Sequence, residues 1–350
     1  MAARFLIGGY MPKLYNDNGY LNIDYILGSR QPFIFCVGGR GTGKTYGILK
    51  YVLDNKIPFI YMRRTQAQAD IISKPEFSPF KAICNDTDYL ICTKSLTKYN
   101  AGFYHGVRDE EGIVKPQGAP IGYLIALSTV SNLRGFDMSE IEILIYDEFI
   151  GEAHERPLKE EANALFNCYE TVNRNRELKG CKPLQMVCLA NANNLQNPIF
   201  ESLGLINKAV KMSQTGRELS IMSERGIALY ILKGSPISQQ KSNTALYEIT
   251  NGTQFYNMSI NNSFGIDNQN VKSVNIKEYR PVLSVSDLVI YKHKSENHYY
   301  VSMFKSGGCK SVTDKIFRLT YGKQYKILFF NNNINFETYA IQTAFENLLN

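Results

Sequence analysis

A glycine-rich segment with one lysine and two threonines is the clearest candidate for chemistry in this chain. Its residues are Gly38, Gly39, Arg40, Gly41, Thr42, Gly43, Lys44 and Thr45. They fit the pattern G-x-x-x-x-G-K-[ST], in which glycines let successive backbone N–H groups turn toward phosphate oxygens. We therefore predict that this loop binds the phosphates of a nucleotide, with Lys44 on the β- and γ-phosphates and Thr45 on Mg²⁺.

Two adjacent carboxylates follow an apolar run further along the chain, in the segment 143–148 (ILIYDE). If the run is a buried parallel strand, its carboxyl end opens onto the ligand crevice. Asp147 then holds Mg²⁺ directly or through water, and Glu148 orients and deprotonates the attacking water. The alternative is an ordinary strand that ends in solvated acids. The pair favours hydrolysis over phosphoryl transfer, and the lack of an N-K-x-D pattern favours ATP over GTP.

An amide is the third candidate for the same site. Asn191 follows the predicted strand 184–189, and we prefer it over Asn193 as a group that contacts the γ-phosphate or the attacking water. The alternative is an asparagine that only forms a turn.

The elements that must position these residues alternate between strands and helices. Helices are predicted over 45–55 and 158–172, and the predicted strands are 33–37, 57–62, 89–92, 96–104, 121–127, 141–146 and 184–189. The alternation predicts an α/β fold with a mostly parallel, doubly wound sheet. Together with the loop and the Asp-Glu pair, it predicts a P-loop NTPase of the ASCE type.

The pattern changes after this region. We interpret 1–210 as the ATPase domain and 211–245 as a linker or small subdomain with one strand-like run at 227–232. Residues 246–350 are predicted to form a smaller β-rich domain. Its predicted strands are 287–293, 298–304, 315–321 and 325–330, followed by a helix over 336–348.

Composition and charge limit the classes of function. A chain of 350 residues with 44% hydrophobic residues can bury a core, and its net charge of +7 is compatible with a phosphate-rich partner. No window approaches the roughly 18–20 apolar residues of a membrane span, so we expect no membrane partner. Seven cysteines without a C-x-x-C pair and four scattered histidines give no zinc-ligand spacing.

Several segments together resemble one family, the DNA-packaging ATPases (encapsidation proteins, terminase-like motors) of phi-29-like tailed phages. The segments, in the family's order, are GGRGTGKT, YMRR at 61–64, IYDEFI at 145–150, TVNRNRE at 171–177, LANA at 189–192 and NGTQFYNMSINNSF at 251–264. The likeness is dense over 33–200 and thin after 265.

The resemblance implies a ring ATPase, pentameric in that family, that sits at the portal (connector) of a prohead in the host cytoplasm. It would drive double-stranded DNA inward with ATP bound between neighbouring subunits. A structural prohead RNA stays open as a further partner. The rival interpretations are a helicase or DNA-transfer ATPase, a structural protein that binds ATP without hydrolysing it and, more distantly, a small-molecule kinase.

The resemblance also suggests roles for three arginines. Arg174 and Arg134 map onto the family's residues that act on the neighbouring subunit's nucleotide, although the family has lysine at the second position. On a helix, Arg174 and Arg176 would face different directions, so one could reach across while the other packs at home. Arg64 follows a strand end and is predicted to lie near the nucleotide or line the DNA channel. Surface arginines in salt bridges are the alternative.

The C-terminal domain resembles a degenerate RNase H-like nuclease domain of large terminases. Over 251–350, seven acidic residues stand against eleven basic ones. A two-metal nuclease needs a cluster of carboxylates, so we expect no DNA cleavage. A basic surface suits electrostatic binding to DNA, the portal or RNA, and a merely solvated basic face is the alternative.

Overall fold

The computed structural model describes residues 13–133, 138–151, 155, 158–191, 195–253, 256, 259, 270–271, 274–303 and 307–349. These residues form two units. The first holds the described residues up to Ser202 and those within Ala209–Gly265, and the second holds Leu203–Lys208 and those within Ile266–Asn350. Each unit is described by itself.

A nine-stranded sheet organises the first unit. Its strands are β1 (Phe33–Gly38), β2 (Phe59–Arg63), β3 (Ile91–Ser95), β4 (Asn100–Arg108), β5 (Val114–Ala126), β6 (Ile143–Asp147), β7 (Gln185–Asn191), β8 (Leu219–Met222) and β9 (Ile227–Ile231). Their order is β3-β4-β5-β2-β6-β7-β1-β9-β8. The run from β5 to β9 is parallel throughout, and β3, β4 and β8 pair antiparallel at the two edges. The prediction of a mostly parallel sheet is confirmed.

Helices connect these strands. They are α1 (Ile23–Leu27), α2 (Lys44–Asp54), α3 (Gln66–Ile72), α4 (Lys81–Asp86), α5 (Glu161–Asn173), α6 (Pro198–Ser202), α7 (Ile206–Thr215), α8 (Pro236–Lys241) and α9 (Ala245–Ile249). The start of α3 illustrates the local signals, because Thr65 and Gln68 form a reciprocal capping box.

Packing in the core fixes the predicted loop at the carboxyl end of the parallel strands. Strand β6 is buried at every position, and α2 packs Ile48, Leu49 and Val52 into the same apolar cluster. Strands covered on both faces read as continuous apolar runs, which is why β1 and β6 stand out in the sequence. Because α2 begins where the loop ends, this packing fixes the loop relative to β6.

The segment 211–245, interpreted as a linker or small subdomain, contributes two strands to the large sheet of the first unit. Within it, β8 and β9 form an antiparallel pair, and β9 extends the parallel part of the sheet beside β1. All five residues of β9 are buried. The polar residues around β9 suggested a connector, but an apolar run of this kind needs cover on both faces, and the sheet provides it.

The second unit contains a five-stranded sheet. Its strands are β10 (Tyr279–Val285), β11 (Leu288–His293), β12 (Tyr299–Ser302), β13 (Lys310–Val312) and β14 (Ile334–Phe336). Strands β10, β11 and β12 form an antiparallel meander, and β13 and β14 add parallel to β10 and β12 at the two edges.

The predicted strands 315–321 and 325–330 are wrong, because this stretch is helical. It consists of α10 (Asp314–Ile316), a π-helical turn (Phe317–Tyr321) and α11 (Gly322–Phe330). Phe317, Tyr325 and Leu328 are buried in one core, and their spacing is that of a helix. A short aromatic run is compatible with a strand or with a helix, and here packing on the sheet selects the helix. The predicted terminal helix is confirmed as α12 (Tyr339–Leu349).

Candidate active site

The glycine-rich loop joins β1 to α2, the context that its sequence pattern requires. Gly41 and Gly43 adopt φ values of +67° and +84°, a region that glycine enters without the penalty a Cβ brings. Gly43 is the residue before the first turn of α2. The loop therefore curls toward the positive end of that helix, where an anion is favoured.

Five successive carbonyl oxygens of the loop accept hydrogen bonds. The ammonium of Lys44 donates to Gly38 O at 3.0 Å and to Gly39 O at 2.6 Å. Lys241 Nζ donates to the carbonyls of residues 40 and 41, both at 3.2 Å, and the backbone N–H of Leu21 donates to that of residue 42 at 2.9 Å. The loop is thereby held in shape, and its N–H groups remain the groups that a phosphate can use.

Lys44 is buried at the centre of the loop. Burial lowers the pKa of its ammonium to about 8, with the nearby Cys36 and Asp147 acting in the opposite direction. A buried amine that is costly to keep charged gains strongly from an anionic ligand. This is the electrostatic character expected of a phosphate-binding lysine.

The residues predicted to bind Mg²⁺ face each other. Thr45 Oγ1 donates to Asp147 Oδ2 at 2.8 Å, and the buried Tyr61 hydroxyl donates to the same oxygen at 2.7 Å. Burial and the Asp147 carboxylate raise the pKa of Tyr61, so its hydroxyl remains a donor. These contacts orient Asp147 at the end of β6.

Glu148 is paired with an arginine in this structure. Its carboxylate contacts Arg63 Nη2, while Arg63 Nη1 lies 3.5 Å from Asp147 Oδ2. Glu148 adopts φ +54°, a left-handed conformation that is uncommon for a non-glycine residue and is often found at functional sites. Its side chain is 47% exposed, so the carboxylate has room to move.

Asn191 belongs to the same cleft. It ends β7, which lies between β1 and β6, and its Oδ1 is 3.4 Å from Lys44 Nζ. A cavity of about 220 Å³ joins these groups, and its lining includes Lys44, Thr45, Asp147, Glu148 and Asn191. A larger cavity of about 830 Å³ shares Gly41, Gly43 and Tyr46 with it. Asn193 lies outside the described residues.

Arg64 is directed away from the cleft. Its guanidinium donates to both carboxylate oxygens of Glu161, at 2.9 and 3.2 Å, and to Glu155 at 2.7 Å. Side chains alternate in direction along an extended chain, so Arg63 and Arg64 diverge. These contacts fit the alternative of an arginine in salt bridges, and the role of Arg64 near the nucleotide or in the DNA channel stays a prediction.

The arginines suggested by the resemblance have different surroundings. Helix α5 ends at Asn173, so neither Arg174 nor Arg176 lies on it. The different directions expected for two arginines on one helix therefore do not apply. Arg174 and Asn175 both have positive φ, which puts the exposed Arg174 side chain on a sharp turn. Arg176 Nη2 donates to Ser139 O at 2.6 Å, as expected for an arginine that packs at home. Arg134 lies outside the described residues.

Sequence reasoning gave no role to three residues near the cleft: Tyr61, Arg63 and Lys241. The first two lie two positions apart on β2 and so point to the same face of the sheet. That spacing, at the end of a strand next to β6, could have indicated them. Lys241 had no local signal.

Two features of other protein classes are absent from the described residues. No cluster of three or more His, Cys, Asp and Glu side chains there is arranged to hold a metal ion. No helix in the same part of the chain is both long and apolar enough to cross a membrane.

The fold and the cleft define a mixed α/β protein with a phosphate-loop motif at the carboxyl end of the parallel strands of a large sheet. The model of the podovirus DNA encapsidation protein (Gp16) family matches residues 14–347, and the chain belongs to that family. The resemblance drawn from the sequence is thus confirmed.

Relatives and solved structures agree with this assignment. The DNA packaging protein of Bacillus phage phi29 is 26% identical over 276 residues, covering 77% of this chain and 72% of the relative. That of Bacillus phage PZA is 26% identical over 255 residues, covering 71% and 65%.

Among solved structures, the bacteriophage Phi-29 viral genome packaging motor assembly superposes with a TM-score of 0.61 at 16% identity, covering 95% of this chain and 99% of that one. The Phi-28 gp11 DNA packaging motor superposes with a TM-score of 0.55 at 18% identity, covering 91% and 94%. At these identities the likeness shows the fold.

Proposed function

We propose that this chain is the ATPase subunit of a motor that packages double-stranded viral DNA into a prohead. The observation that carries the proposal is the convergence of Lys44, Thr45, Asp147, Glu148 and Asn191 on one cleft beside the glycine-rich loop. Membership of the encapsidation family supports DNA packaging as the process that hydrolysis drives.

ATP and Mg²⁺ are the proposed ligands. The residues present suit Mg²⁺, because Thr45 Oγ1 and Asp147 Oδ2 are hard oxygen donors that already meet, and this ion commonly takes one or two protein ligands plus water and phosphate oxygens. When bound, the ion supplies charge neutralisation at the phosphates. Lys44 and the N–H groups of the loop bind the phosphate chain.

Glu148 is the proposed general base. In the described conformation Arg63 Nη2 contacts Glu148 Oε2, so the proposed role requires that this contact opens or that the other carboxylate oxygen accepts the proton from water. Asn191 lies opposite, on β7, where its amide can orient the water or sense the terminal phosphate.

The site is completed by a neighbouring subunit in our proposal. Arg174 lies on an exposed turn, which suits a residue that reaches another copy, and Arg134 is the second candidate. An arginine finger supplied across an interface is worth about 10³ to 10⁵ in rate. A ring, pentameric by family resemblance, would bring such pairs together.

The remaining assignments are also proposals. We assign nucleotide binding to the first unit and contact with DNA, the portal or a structural RNA to the second, which we take as RNase H-like without nuclease activity. Action at the prohead portal in the host cytoplasm follows from the same reasoning.

One experiment tests the function most directly. Purified protein, ATP and genomic DNA are mixed with purified proheads, and DNA protected from nuclease is measured. We expect protection only with hydrolysable ATP. Strand displacement without protection would favour a helicase, and ATP binding without DNA-stimulated phosphate release would favour a structural role.

A further inference from the structure

A lysine from the segment that sequence analysis interpreted as a linker contacts the phosphate loop. Lys241, the last residue of α8, is half-buried, and its Nζ lies 3.2 Å from both Arg40 O and Gly41 O. A Cβ built on residue 41 would overlap this ammonium, which shows how closely the Lys241 side chain approaches the loop backbone. The contact joins residues two hundred positions apart along the sequence.

The helix that carries Lys241 is anchored beside the loop. Ser235 caps α8 by accepting a hydrogen bond from Ser238 N, and Pro236 occupies its first turn. Gly19 packs so closely against this start that a Cβ there would lie 2.9 Å from Pro236 Cβ. The cap of α8 and its packing against Gly19 therefore fix the position of the helix that carries Lys241.

Two lysine ammonium groups therefore contact the loop, where its sequence motif contains one lysine. Lys44 and Lys241 together occupy four consecutive carbonyls, from Gly38 to Gly41. Two ammonium groups bound to neighbouring carbonyls of one loop repel each other, and a polyanion beside both relieves that repulsion.

We propose that Lys241 is a second cation of the nucleotide site, acting on the phosphate chain in addition to Lys44. The proposal rests on the proposed function, since it requires that the loop binds a nucleoside polyphosphate. It makes α8, in the part of the chain that leads to the second unit, responsive to the charge of the ligand.

The test compares the affinities of ADP and ATPγS, each with Mg²⁺, by titration calorimetry on the full chain. Lys241→Met removes the charge and keeps the apolar stem. We expect roughly tenfold weaker ATPγS binding, the size of a lost charged hydrogen bond, and a smaller loss for ADP. Lys241→Arg should restore most of the affinity.

Controls separate this proposal from the one on which it depends. Lys211→Met removes an exposed lysine of α7 and should bind as wild type does. If wild type binds neither nucleotide, the proposed function itself fails. Unchanged affinities in Lys241→Met, or equal losses for ADP and ATPγS, would overturn the assignment, because a purely structural clamp does not depend on ligand charge.

Discussion

Arg64 and Glu161 form a bidentate ion pair inside the first unit. The two side chains are 4% and 1% exposed, and Tyr146 and the backbone N–H of Leu158 also donate to the carboxylate. Such a pair ties the end of β2 to the start of α5. Breaking it by removing one partner leaves a buried charge without compensation.

We expect Arg64→Ala to lower the free energy of unfolding by about 3–5 kcal/mol, while the folded variant keeps its affinity for ATPγS. Urea unfolding and calorimetry measure the two quantities. Lys50→Ala is the matched control, because it breaks an exposed pair with Asp54 and should cost no more than about 0.5 kcal/mol. Weakened nucleotide binding with normal stability would return Arg64 to the nucleotide site.

Glu148→Gln should abolish turnover and keep ATP binding. Loss of a general base lowers rates by about 10²–10⁴, whereas the phosphate contacts of the loop are untouched. Phosphate release and nucleotide titration give the two readouts. Glu142→Gln, at the opposite end of the same strand, should hydrolyse ATP normally, and hydrolysis retained by Glu148→Gln would remove that residue from its role.

Nucleotide binding should depend on pH through Lys44. Its pKa of about 8 means that the ammonium is charged below this pH and increasingly neutral above it. Bound phosphates favour the charged form, so binding above pH 8 takes up a proton, and affinity falls by up to about tenfold per pH unit. Calorimetry in buffers of different ionisation enthalpy measures the uptake. If the proton uptake on binding is the same near neutral pH as it is about one pH unit above the pKa of Lys44, the assignment is contradicted.

Mixing variants tests whether Arg174 acts on a neighbouring subunit. Arg174→Ala and Glu148→Gln should each be inactive alone. Mixed assemblies should regain some hydrolysis, because some interfaces combine an intact glutamate with an intact arginine. Lys179→Ala, an exposed cation near the same turn, should be active without mixing. No recovery at any ratio would argue that Arg174 acts within its own subunit.

The loop and the carboxylates could be predicted because their signals are local. The glycine pattern, the apolar run of β6 and the Asp-Glu pair each lie in one short stretch, and parallel strands bring their carboxyl ends to one edge. Strands such as β3 and β4 were predicted to within a few residues for the same reason.

The errors come from contacts that a local pattern does not contain. The helical stretch 314–330 was assigned to strands because its aromatic residues pack at a spacing that only the fold explains. Arg63 and Arg64 are neighbours in sequence, yet one meets Glu148 and the other Glu161. Lys241 reaches the loop only because β9 and α8 return the chain to it.

The position of β7 has a mechanical consequence. One strand separates β1 from β6, so the backbones that carry the loop and Asp147 are two strand spacings apart, roughly 9–10 Å. The backbone of β7 fills that gap, with Asn191 beside Gly38 and Leu189 beside Asp147. Any change in the spacing of these three strands would therefore move Asn191, at the end of β7, relative to both the loop and Asp147.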